Sequence, residues 1–247
     1  MLGSVRVTDL LHVFTDLTDD AALLSLEHQV HLEEVLGEHN WQVELSKPEF
    51  SFTGATPRTC TRMHLLGSAA PGPRSWLWAW ANPSGFHPEA SRLSESLRDW
   101  GRRHDLALFA EPEVPFAELP GQPDEPHLAA TFFIEAAKTL TGVWTHYNAP
   151  AGGGTRGGFL IEHPDFELPE PEPARVMRIL QQGLAEIPLT NHRRAFYSYA
   201  VRRGMSAVFS DDRETLTITG PRFTAHVAFD DLGRVKDLQA RLGAATG

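Results

Sequence analysis

Ser75-Trp76-Leu77-Trp78-Ala79-Trp80-Ala81 is the stretch whose reading decides the fold. Alternate residues of an extended strand project to opposite faces, so this spacing places three indoles on one face and Leu77, Ala79 and Ala81 on the other. A strand apolar on both faces is covered twice, and each indole removes about 200 Å² from water when it is buried. Core packing is therefore the favoured role for Trp76, Trp78 and Trp80. The rival role is an aromatic wall for a flat or apolar ligand, since binding pockets are mostly apolar.

Outward from that stretch, short alternating runs precede it. Trp41, Val43 and Leu45 alternate, as do Phe50 and Phe52, and Arg58 to Leu66 reads as a further strand. Gly67 to Pro73 reads as a turn, which makes the region from Trp41 to Ala81 an antiparallel meander. A helix from Leu17 to Glu38 comes before it, with Asp19 and Asp20 charging its start and Gly37 at its end. After the tryptophans come a helix from Pro88 to His104, a short strand at Leu106 to Phe109 and a helix from His127 to Leu140. Two strands, Val143 to Tyr147 and Gly158 to Glu162, then flank a glycine-rich connection. Phe-Glu-Leu-Pro-Glu-Pro-Glu-Pro at 166–173 is a stiff, charged spacer that divides 1–168 from 174–247. Beyond it stand two helices, three strands (206–210, 215–219 and 223–229) and a segment, Val235 to Leu242, whose pattern is ambiguous and slightly favours helix. The expected fold is α+β: an antiparallel sheet flanked by helices, with a smaller C-terminal α+β segment.

The residues Leu65-Leu66-Gly67-Ser68 and Ser75-Trp76-Leu77-Trp78-Ala79-Trp80-Ala81-Asn82-Pro83, with Trp100-Gly101 ending the following helix, resemble a bacterial domain-of-unknown-function family. Its pattern is an N-terminal helix, an LGS turn, a WLWAWAN strand and an amphipathic helix, and the likeness spans most of residues 17–162. That family brings no activity with it, so the resemblance implies a fold class and no catalytic residues.

Charge excludes some partners. With 22 basic against 32 acidic side chains the formal charge is −10, which repels phosphate backbones and anionic lipid headgroups. Arg193, Arg194, Arg202 and Arg203 are too few to outweigh it, so neither nucleic acid nor membrane is an expected partner. Cys60 is the one cysteine, which points to a reducing compartment, and no apolar run approaches the length of a membrane span. No basic-then-apolar leader is visible at the N-terminus, and a cytoplasmic location is the expectation.

The candidates for chemistry are few. His28, His31 and Glu34 fall on one helical stripe and form a weak metal candidate, but their spacing is not that of a helical zinc-protease pair. The connection Ala149 to Gly158, with five glycines and Arg156, lacks the Lys-Ser/Thr of a phosphate loop and reads as a hairpin tip that can cover a cleft. Cys60 and His64 lie four residues apart on a strand, about 13 Å, too far to act together. Glu162-His163-Pro164-Asp165 gathers titratable groups beside the spacer. No cofactor, resident metal or catalytic residue is expected. The function predicted is binding, in a cleft near the tryptophan strand, with Trp76, Trp78, Trp80, His146 and Arg156 as ligand contacts and a basic protein or a small molecule as partner. The alternative is a hydrolase-like enzyme of small molecules, with His64, His146 and Glu162 converging in that cleft.

Overall fold

The computed structural model describes residues 7–242. They form two compact units: residues 7–14 with His28–Glu167, and Thr15–Glu27 with residues 168–242. The first helix, α1 (Val7–Leu36), contributes to both. It starts ten residues before the predicted start. Asp19 and Asp20 are acidic because they serve α6 of the second unit, described below, rather than the beginning of their own helix.

In the first unit, β1 (His39–Glu44), β2 (Glu49–Gly54) and β3 (Arg58–Thr59) make one antiparallel sheet in that order. A second sheet is built from β4 (Arg62–Ala70), β5 (Ser75–Trp78), β6 (Glu113–Pro115), β7 (His146–Pro150) and β8 (Arg156–Glu162), ordered β6-β5-β4-β8-β7. The expected meander is thus split between two sheets. Alternation explains how they meet: Met63 and Leu65 of β4 and Phe159 and Ile161 of β8 share a core with Phe50 and Phe52 of β2. The opposite face of the five-stranded sheet carries the short α3 (Ala107–Ala110) and α4 (Pro126–Thr141), while α2 (Pro88–Arg103) packs along β4 and places Ala90 in the shared core. The segment of α3 had been expected as a strand. A run of five apolar residues fits either state, and here it packs Leu108 and Phe109 inward as one turn of helix.

The tryptophan stretch is a strand as far as Trp78. Trp76 and Trp78 are fully buried, and Trp76 stacks on Phe133 of α4 with ring centroids 4.8 Å apart at 14°. Glycine makes that stacking possible. Gly67 pairs with Trp78 on one side and Gly158 on the other, and the Trp76 indole lies across both glycines. A Cβ on Gly158 would sit 2.8 Å from Trp76 Cη2, and one on Gly67 would collide with the Leu77 carbonyl oxygen. Leu66-Gly67-Ser68 is therefore strand rather than turn. The chain reverses later, at 71–74, where Arg74 takes φ +54°.

In the second unit, α5 (Pro173–Glu186) and α6 (His192–Arg202) precede β9 (Ser206–Phe209), β10 (Thr215–Gly220), β11 (Phe223–Phe229) and β12 (Val235–Leu242), a sheet ordered β12-β11-β10-β9. The last strand replaces the predicted helix. As an edge strand it is held by its backbone pairing with β11 and needs no buried face of its own, so its side chains give no period-two signal. Residues 15–27 of α1 belong to this unit through three acidic side chains. Asp19 accepts from the Thr190 and Asn191 amides at 2.9 and 2.8 Å at the entrance to α6, and Asp20 forms a two-pronged pair with Arg194. Glu27, with no exposed surface, takes Arg175, Arg203 and the Tyr199 hydroxyl. Among the described residues of either unit, no helix is long and apolar enough to cross a membrane.

Candidate functional site

Three of the predicted ligand contacts are tryptophans, and the structure keeps Trp76 and Trp78 in edge-to-face contact but separates Trp80 from them. Trp76 and Trp78 lie under α4 with no exposed surface, so the wall they were expected to offer is sealed. The Trp78 Nε1–H donates to the Leu108 carbonyl at 3.0 Å. A 3-10 turn at Ala79–Ala81 ends the strand and takes Trp80 off the shared face, to a half-buried place beneath the Arg98 guanidinium of α2.

The titratable candidates divide into separate clusters. His64 and His146 both pair in register with Leu160, from opposite sides of β8, which leaves them two strand spacings, about 10 Å, apart. The predicted convergence of His64, His146 and Glu162 is thus half met. The His64 Nε2–H donates to Glu162 Oε1 at 2.9 Å, an arrangement in which the carboxylate sets the imidazole tautomer. The remaining nitrogen, Nδ1, is buried without a hydrogen-bond partner among the described residues. A general base must reach the proton it removes, and this lone pair is shut off from the open recess of about 590 Å³ that His64 borders with Arg62 and Arg92.

His146 belongs to a different, internal cluster. Lys138 of α4, with no exposed side-chain surface, donates to His146 Nδ1 at 2.7 Å and to Glu135 Oε1 at 2.9 Å. Burial, reinforced by Lys138 and His28, holds the His146 imidazole well below its usual 6.5, and burial also lowers Lys138. The cluster neutralises a lysine that faces the sheet.

His28 stacks on Trp144 at 6.2 Å and 18°, while His31 Nδ1 lies 4.0 Å from Glu34 Oε2. Among the described residues no group of three His, Cys, Asp or Glu side chains is placed to hold a metal ion. Cys60 sits in the break between β3 and β4, and burial pushes its thiol up to about 12. Arg156 turns onto Asn148, giving two hydrogen bonds to its side-chain and main-chain oxygens. It closes the base of the β7–β8 hairpin, whose tip holds Gly152, Gly153 and Gly154 at positive φ.

Arg156 also borders an open recess of about 430 Å³ with His127 and Gly154, and a separate, apolar cleft of about 260 Å³ lies in the first unit. Its floor comes from Leu65 and Gly67 of β4 and Phe159 of β8. One wall is Trp41, Val43 and Leu45, alternate residues that share a face of β1 and the turn after it. The glycine-rich hairpin (Ala149 to Gly157) and Phe86 form the rest. The cleft does adjoin both predicted landmarks, the hairpin and the end of the tryptophan strand at Ala79 and Asn82, but its indole is Trp41. In the sequence the alternation at 41–45 gives a strand face and no hint of what that face leaves uncovered.

Fold and site together define an α+β protein whose first unit, two antiparallel sheets with a helical layer, encloses a small apolar cleft. The chain belongs to a family of unknown function, DUF6882, whose model matches residues 15–164, through the end of that unit's second sheet. No curated protein and no solved structure matches it.

Proposed function

We propose that this is a binding protein that holds an apolar group, such as the side chain of a protein partner, in the cleft between β1 and the β7–β8 hairpin. The carrying observation is the lining: Trp41, Val43, Leu65, Phe86 and Phe159 surround a space with no charged side chain in its wall. Its volume lies just below the usual range for whole small-molecule ligands, which favours one or two large side chains as the occupant. The acidic balance of the unit, 11 Lys and Arg against 19 Asp and Glu, favours a partner with basic character around that apolar group. Catalysis receives less support, because the second nitrogen of the His64–Glu162 pair is buried away from the recess.

Titration of the isotope-labelled protein with N-acetyl-phenylalaninamide and N-acetyl-leucinamide tests this reading. Amide resonances of Gly67, Ser68, Ala149 and Gly157 should shift together and saturably. In Ala151→Trp, which places an indole in the cleft from an exposed loop position, the shifts should vanish while the fold is kept. Shifts scattered over other surfaces, or unchanged by Ala151→Trp, would remove the cleft as the site.

A further inference from the structure

The cleft has an open strand edge beside it. β1 ends the order β1-β2-β3, and among the described residues it pairs with β2 and with no other strand. Among the described residues, no backbone hydrogen bond from outside its own sheet reaches residues 39–44. The five-stranded sheet continues past this edge: β4, β8 and the chain after β5 supply the cleft floor, while β1 supplies a single wall. Sheet packing brings one layer over another at about 10 Å, and strands within a layer lie about 4.8 Å apart. A fourth strand beside β1 would therefore stand over the cleft and turn alternate side chains into it.

We propose that the occupant is an extended segment of a partner protein that adds to the β1 edge as a strand, with alternate apolar residues entering the cleft and basic residues between them. This rests on the cleft reading above and specifies its mode. Main-chain pairing would supply affinity that a cleft of this size lacks, and the cleft would select the side chains, as in other cases of strand addition. Charge complementarity decides between partners. Glu38 and Glu44 are exposed at the two ends of β1, and hydrogen bonds from the Ser46 amide and hydroxyl keep the Glu44 carboxyl below its ordinary range, hence ionised at neutral pH. Long exposed edges are usually blunted against chance pairing. This one is short and bracketed by acidic residues, which discourages a second acidic copy and admits a basic strand.

The test uses three fluorescently labelled peptides on the intact protein: KVKLKVK, the same sequence N-methylated at alternate residues, and EVELEVE. Strand addition predicts binding of the first, a loss of at least about tenfold for the N-methylated form, which has lost the donors of one edge, and a similar loss for the acidic form. Amide exchange of β1 should slow when KVKLKVK is bound. Equal affinity for the N-methylated peptide would overturn strand addition and leave the cleft reading intact, as would failure of KVKLKVK to bind while N-acetyl-phenylalaninamide still does. Failure of the peptides and the amides alike would remove both. Slow β1 exchange in the free protein, together with a dimer in sedimentation, would overturn the proposal in favour of self-pairing.

Discussion

At the scale of single residues, the contact between Trp76 and two glycines organises the first unit. The indole needs a flat seat across β4 and β8, and at Gly67 and Gly158 the missing Cβ supplies it. Gly158→Ala should destabilise the unit by about 1–3 kcal/mol through overpacking. In a Trp76→Phe background, where the outer indole ring is gone, the same change should cost less than about 1 kcal/mol, a coupling that neighbouring residues can show. Denaturant unfolding followed by tryptophan fluorescence checks this, since all six tryptophans lie in the first unit. Equal costs in both backgrounds would mean that the glycines answer to something else. The Cys60 thiol gives an independent check on burial. Raised to about 12, it should stay unmodified by iodoacetamide at pH 8 in the native protein and react at once in denaturant. Rapid native labelling would place Cys60 at the surface.

At the scale of elements, what could be read from the chain depended on whether a segment's pattern came from its own burial. Helices α2, α4, α5 and α6 and strands β10 and β11 bury one face each, and period 3.6 or 2 marks them out. Three segments were misread for identifiable reasons. α3 is too short for periodicity to separate helix from strand. β12 pairs through its backbone and keeps a mostly exposed side-chain set. Gly67 resembles a turn residue but serves close packing inside β4. α1 was recognised but not its division between units, because acidic residues mark a helix start and an ion pair equally well. Glu27 is the decisive side chain there, buried with Arg175, Arg203 and Tyr199. Glu27→Ala would leave two guanidinium groups without their carboxylate and should cost about 3–5 kcal/mol. Faster hydrogen exchange of α5 and α6 amides is the readout, and exchange unchanged from wild type would show the network to be dispensable.

At the scale of the molecule, acidity limits stability through an internal group. His146 is held neutral beside Lys138, so below pH 6.5 the unfolded chain binds a proton there that the folded chain refuses. Stability of the first unit should therefore fall as pH drops below about 6.5, by at most about 1.4 kcal/mol per pH unit from this residue. His146→Gln, which keeps an acceptor for Lys138 without titrating, should flatten that slope; an unchanged slope would assign it to other groups. The α+β class could be argued from residue patterns, because it follows from local alternation and composition. The cleft could not. It exists where one sheet extends beyond another, a relation between Trp41 and Gly67 that no stretch of sequence contains. The indole N–H resonances separate the two roles proposed for tryptophan in this protein. On titration with N-acetyl-phenylalaninamide, the Trp41 indole peak should move and saturate while those of Trp76 and Trp78 stay fixed. Movement of the Trp76 and Trp78 peaks with Trp41 unmoved would contradict a sealed tryptophan core and a separate binding cleft.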